Sequence, residues 1–172
     1  MTLGVLLLNP IESIHRDHVG GVIKDKDVQD LVDLLRVSQE RHIPVYATVP
    51  KGNRAPGAEV VSDLRPFISS IYEDCGQGPF TDKHFQGLLR SSDLSTFLIG
   101  GAPFHEVFDV ARNAQGEGYK AIISPGIIYP SSLDRYTSQL AQATRDGIAV
   151  HYDPFEVVQH GNDAFLVDKK GI

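Results

Sequence analysis

Five consecutive apolar residues, Gly4-Val5-Leu6-Leu7-Leu8, stop abruptly at Asn9-Pro10. A strand with one wet face alternates apolar and polar side chains. A run without alternation is buried on both faces and suits an interior strand of a parallel sheet. Such a strand reaches a parallel neighbour only through a crossover of a dozen or more residues, and the chain supplies one. Val28, Leu31, Val32, Leu34, Leu35 and Val37 recur at a helical period across residues 26–41. Ile43 to Val49 is β-rich and reads as the next strand. Lys51 to Gly57 is a loop of Gly, Pro and Asn. Further strands are expected at Phe67 to Tyr72, Thr96 to Ile99, Lys120 to Ser124 and Ile148 to Tyr152. Helices are expected around Phe85, Leu88 and Leu89 after Thr81-Asp82, at Glu106 to Gln115 and at Leu133 to Thr144. The alternation predicts an α/β fold: three layers, α/β/α, with a central, mostly parallel sheet. Right-handed crossovers then gather the strand C-termini along one edge, with Asn9, the loop near Asp74, and Ala102 to Glu106 at that edge.

Composition narrows the function classes. The 172 residues suit one domain, and 41% apolar with 22% charged residues is ordinary for a globular chain. A net charge of −6 without a basic run argues against a nucleic-acid surface. The apolar runs are far shorter than a membrane span. Met1-Thr2-Leu3 leads straight into a strand with no basic segment, so no signal peptide is expected. One cysteine, Cys75, excludes an intrachain disulfide and fits a reducing cytoplasm.

The stretch Gly100-Gly101-Ala102-Pro103-Phe104-His105-Glu106-Val107 runs from a short strand through a small-residue turn into a helix that starts near His105. Ala111, Ala114 and Gly118-Tyr119 follow. In a parallel sheet, backbone N–H groups at such a junction point into a pocket. The spacing resembles the nucleophile turn of the isochorismatase-like hydrolases, or cysteine hydrolase superfamily: Gly-x-x-Thr-x-x-Cys-Val, then Ala, then Gly-Tyr. The similarity extends over nearly the whole chain. Arg41 to Thr48 is similar to the family's x-Gly-x-Pro-Val-x-x-Thr strand, and Gly57 to Pro66 to its Gly-x-Glu-Ile-x-x-x-Leu-x-Pro. Phe80, Phe85, Leu89 and Arg90 fit its Ser-Ala-Phe-x-x-Thr-x-Leu-x-x-x-Leu-Arg.

The resemblance implies one isochorismatase-like, Rossmann-like domain over residues 1–172, assembled as a homodimer or homotetramer around a small-molecule site. It places the family's catalytic Asp, Lys and Cys at Asn9, Asp74 and Glu106. Glu73 is the alternative at the lysine position, and Lys83 stands inside the run from Phe80 to Phe85. Phe80, Gly101, Ala102 and His105 are then the expected pocket residues, with the N–H groups of Ala102 and Glu106 forming an oxyanion cradle. A cis peptide is expected just before Ala102, and Pro103 replaces the usual Thr.

In the family a thiolate attacks an amide or nitrile carbon, the Asp takes the thiol proton, and the Lys stabilises charge. A carboxylate is a weak nucleophile toward amides, and an asparagine amide takes no proton at neutral pH. Cys75 is one position beyond the lysine site and does not replace the thiol. The isochorismatase reaction proper needs the Asp and Lys that are also missing. Two acidic side chains facing one pocket suit a general acid and a general base. That gives one reading: an enzyme with altered acid–base chemistry on a small metabolite, in which Glu106 is buried in a closed pocket. The other is a non-catalytic binding member, with an open pocket and Glu106 paired to Arg16, Arg54 or Arg135.

No cofactor and no resident metal are expected. A divalent cation among Asp74, Glu106 and Asn9 would need hard oxygen ligands these residues possess. The family's nicotinamidase metal site, an Asp-x-His and a later His, has no match, since Thr48 to Arg54 contains no histidine. His15 and His18 read as a solvated segment.

Overall fold

The computed structural model describes residues 3–11, 25–52, 59–74, 78–128 and 133–153. Six strands form one sheet: β1 (Leu3–Leu8), β2 (Val45–Pro50), β3 (Ser70–Asp74), β4 (Thr96–Gly101), β5 (Lys120–Ile128) and β6 (Ala149–Val150). Every neighbouring pair is parallel, in the spatial order β3-β2-β1-β4-β5-β6. Four helices connect them: α1 (Asp25–Glu40), α2 (Lys83–Arg90), α3 (Phe104–Gly116) and α4 (Leu133–Arg145). The expected architecture is the observed one.

The unbroken apolar run of β1 has a direct structural cause. Leu3, Val5 and Leu7 pack against Leu31, Leu34 and Leu35 of α1 on one face of the sheet. Leu6 and Leu8 face the other side, among Phe85 of α2, Val107 and Ala111 of α3, and Leu140 and Ala143 of α4. The second face holds an aromatic cluster in which Phe80 meets Phe85, Phe97 and Tyr119 edge-on or tilted.

Some boundaries move. Pro66 helps turn Arg65–Phe67 into a short 3-10 segment, so β3 begins three residues later than expected and Asp74 is its last residue. β5 runs through Pro125 and Gly126 because a bulge absorbs extra residues between the pairs Ile99–Ile123 and Gly101–Ile128. β6 is only two residues long.

The helix ends share one device. After α3, Tyr119 N–H bonds the Ala114 carbonyl and Gly118 N–H that of Gln115; after α4, Ile148 and Gly147 do the same with Ala143 and Thr144. These are Schellman stops, with a left-handed glycine after the helix (Gly118 φ 91°, Gly147 φ 82°). α1 ends the same way, with Ile43 bonded to Ser38 and His42 to Gln39. There the left-handed position is His42 (φ 58°), where the family pattern has glycine.

Candidate functional site

From β1 the chain moves toward β2 and β3; from β4 it moves toward β5 and β6. β1 and β4 are neighbours, with α1 on one face of the sheet and α3 on the other. Connections that diverge from adjacent strands open a crevice at the carboxyl ends, the usual ligand position in open α/β sheets. Asn9 and the Ala102–Glu106 turn border that crevice.

Asn9, the first residue past β1, is left-handed (φ 50°), a conformation asparagine adopts more readily than most. Its Nδ2 donates to the Ala102 carbonyl at 2.7 Å and to Glu106 Oε2 at 3.2 Å. One amide therefore ties the end of β1 to the turn after β4 and to the first turn of α3. Glu106 stands in that first turn, where the unsatisfied N–H groups of the helix favour negative charge. It is solvent-exposed, so the enclosed Glu106 expected of an acid–base enzyme is not what the fold provides.

Asp74 accepts from the Gly78 N–H at 3.2 Å. It lines a cleft of about 400 Å³ together with Glu106, Asp109, Val110, Arg112 and Asn113. Glu73, one residue away on the strand, is exposed and takes no part in that wall. A second cleft of about 490 Å³ shares Asp74 with the first and continues to Tyr72, Lys83 and His84. Lys83 lies in the first turn of α2, in that second cleft. There Asp82 caps α2 by accepting from the His84 and Phe85 N–H groups at 2.7 and 3.1 Å. The Tyr72 hydroxyl first, and these amides with it, hold the Asp82 carboxyl below the usual carboxylate range.

Arg112 is pinned from two sides. Its Nε and Nη2 donate to Asp146 Oδ2 at 3.2 and 3.1 Å, and its Nη1 reaches Asp109 at 3.5 Å. The Gln142 amide donates to the other Asp146 oxygen at 2.7 Å. That amide, followed by Arg112, keeps the Asp146 carboxyl ionised to lower pH than usual. Asp109, Val110 and Asn113 follow Glu106 at i+3, i+4 and i+7, one face of a helix. The helical period from Glu106 is the sequence signal for Asp109, Val110 and Asn113, whereas Arg112, at i+6, has no such signal and is tied to the site through Asp146, 34 residues away.

Several expected site residues have other tasks. Ala102 N–H donates to the Leu8 carbonyl at 2.9 Å, and Glu106 N–H to the Pro103 carbonyl at 3.1 Å. Both donors of the expected oxyanion cradle are committed to the backbone, because the turn closes onto the end of β1. The cis bond is Ala102–Pro103, one peptide later than expected. Gly101 and Ala102 are buried, and a Cβ on Gly101 would run into the Leu8 carbonyl oxygen. Phe80 is fully buried in the aromatic core rather than set in a cleft wall. His105 is exposed and lines neither cleft. Among the described residues no three His, Cys, Asp or Glu side chains come together to hold a metal ion. Cys75, His15, His18, Arg16, Arg54 and the Arg135 side chain lie outside the described residues.

Solved structures share this architecture. Pyrazinamidase/nicotinamidase from Streptococcus mutans UA159 matches with a TM-score of 0.72 at 11% identity, covering 87% of this chain and 100% of that one. An isochorismatase family protein from Desulfovibrio vulgaris gives 0.73 at 16% identity, covering 87% and 93%. The ycaC gene product of Escherichia coli, an octameric hydrolase of unknown specificity, gives 0.71 at 16% identity, covering 87% and 74%. No family model and no curated protein matches the chain. The fold is thus that of the isochorismatase-like α/β proteins. The crevice of this chain carries an amide clamp, a wall of three carboxylates and a pinned guanidinium.

Proposed function

We propose that this protein is a non-hydrolytic, small-molecule-binding member of the isochorismatase-like group, with Asn9, Asp74 and Glu106 standing where relatives carry Asp, Lys and Cys. One observation carries the reading: the Ala102 and Glu106 N–H groups are both spent on backbone carbonyls. Acyl transfer needs preorganised donors aimed at the developing oxyanion. Here those donors are occupied, and a carboxylate stands beside them. The exposed Glu106, held by a neutral amide, suits recognition of a ligand from solvent.

A second reading is favoured by Asp74 and Glu106 lining one cleft, which suits acid–base work on a small metabolite. The two readings part on turnover. Wild-type protein and Glu106→Gln are assayed on a panel of amides, esters and cyclic metabolites, alongside native mass spectrometry of the protein as isolated from cells. The binding reading expects a retained small molecule and no turnover. Turnover by the wild type that vanishes in Glu106→Gln overturns it in favour of acid–base catalysis. Assembly as a homodimer or homotetramer in the cytoplasm completes the proposal. The octameric E. coli protein and the lone cysteine support it, and light scattering checks the assembly. No described helix is long and apolar enough to cross a membrane.

A further inference from the structure

We propose that Asp146-Gly147 is a site of spontaneous backbone isomerisation, through a cyclic imide to isoaspartate, and that Arg112 is the side chain that holds this reaction back in the folded protein. The inference does not depend on what the cleft binds.

The sequence supplies the reactive pair. Asp146-Gly147 is the one Asp-Gly step in the 172 residues, and Asn-Gly does not occur. Glycine has no side chain to shield its amide nitrogen, and its backbone is the least restricted. That nitrogen can attack Cγ of the preceding aspartic acid. The new N–Cγ bond closes a five-membered imide, while the amide hydrogen and the carboxyl hydroxyl leave as water. Water then reopens the ring. Cleavage of the N–Cγ bond restores aspartate; cleavage at the main-chain carbonyl leaves the chain running through Cγ. Water is the only co-reactant, and the Asp146 side chain, 30% exposed, is within its reach.

The fold opposes ring closure at both ends of the bond to be made. Arg112 Nε and Nη2 converge on Asp146 Oδ2 at 3.2 and 3.1 Å, and the Gln142 amide holds Oδ1 at 2.7 Å. Cγ therefore swings onto the Gly147 nitrogen only by giving up charge-assisted bonds. Arg145 donates to the Gln142 carbonyl at 2.7 Å and so orients that amide. The Gln142 amide, and Arg112 with it, also favour the ionised carboxyl, whereas ring closure needs the neutral acid, whose hydroxyl can leave. On the nitrogen side, Gly147 N–H is bonded to the Thr144 carbonyl and Ile148 N–H to that of Ala143, which fixes the Asp146–Gly147 peptide in the stop of α4. Gln142 and that stop belong to α4 itself and open together when the helix end frays. Arg112 reaches in from α3 and ties the end down from outside. Isomerisation would shorten the side chain at 146 by one methylene and withdraw its carboxylate from Arg112, a lining residue of the Asp74 cleft.

The test ages wild type, Arg112→Gln and Leu89→Ala side by side at neutral pH, with wild type in concentrated urea as the unfolded reference. Isoaspartate at position 146 is read by electron-transfer fragmentation of a chymotryptic peptide and by enzymatic methylation of isoaspartyl carboxyls. Folded wild type is expected to isomerise several-fold more slowly than the unfolded chain, and Arg112→Gln to raise the folded-state rate several-fold toward that reference. Leu89→Ala loosens the core under α2, away from this contact, and should leave the rate at the wild-type level. If Arg112→Gln does not fold, Arg112→Lys, which keeps the charge but loses the fork, should show a smaller rise. An unchanged rate in the Arg112 variant, or equal acceleration by Leu89→Ala, overturns the role of Arg112. A folded wild type that isomerises as fast as the unfolded chain overturns the protection, and no isoaspartate at 146 in either state overturns the site itself.

Discussion

Asn9 shows how two side chains in contact constrain each other's chemistry. An aspartate at this position would set a carboxylate where Nδ2 now stands 3.2 Å from Glu106 Oε2, and it would lose the donor to the Ala102 carbonyl. An amide is therefore the side chain that tolerates Glu106 as its neighbour. Asn9→Asp is expected to cost about 1–2 kcal/mol at pH 8, from an unsatisfied carbonyl and like-charge repulsion. The cost should shrink below about pH 4, where a protonated carboxyl removes the repulsion and again donates. Urea denaturation at the two pH values checks this; an equal cost at both would mean the carboxylates do not interact. His42 is the complementary case, a residue that satisfies a backbone demand poorly. Its left-handed conformation costs about 1–2 kcal/mol, of which the greater unfolded-state freedom of glycine returns about 0.5–1 kcal/mol. His42→Gly should stabilise the protein by about 0.5 kcal/mol, read as a higher urea midpoint at unchanged slope.

At the scale of elements, α2 is short and depends on its cap. Eight residues are too few for a helix to persist alone. Phe85 and Leu89 anchor it to the core, and Asp82 satisfies two of its free N–H groups. Asp82→Ala should lower the melting temperature by a few degrees at neutral pH, whereas Asp82→Asn should recover most of the loss. The pH dependence follows from direction. The carboxyl is held below its ordinary value of 3.8, so its contribution is complete above that value and is lost as pH falls through the lower folded-state pKa. The gap between wild type and Asp82→Ala should therefore close under acid, which melting curves from pH 7 to pH 2 would show.

For the whole molecule, the seam between β1 and β4 is the critical junction. The order in which successive strands are added reverses there, and the crevice exists because it does. Gly101 sits at the end of that seam with φ 103°, and a Cβ would meet the Leu8 carbonyl. Gly101→Ala is expected to cost about 4 kcal/mol or more, combining backbone strain with a clash that no flexible side chain can relieve. The assay is the yield of cooperatively unfolding protein. A mild loss would mean that the seam is not tightly closed at this turn.

Local pattern determined the element order and the sheet class. The unbroken apolar β1, the helical period of α1 and the Gly118-Tyr119 stop each act within a few residues, where periodicity and backbone geometry decide. The same locality made Asn9, Asp74 and Glu106 visible as residues at strand ends. Tertiary structure alone decided what those residues do. Whether an N–H is free depends on which carbonyl the fold brings to it, and Leu8, 94 positions before Ala102, supplies one. Whether Phe80 meets a ligand or the core depends on Phe97 and Tyr119 closing around it. Arg112 acquires its role from Asp146, which only the packing of α3 against the end of α4 sets within reach. Hydrogen-bond commitment and charge compensation are properties of neighbours in space, and a linear pattern carries only neighbours in sequence.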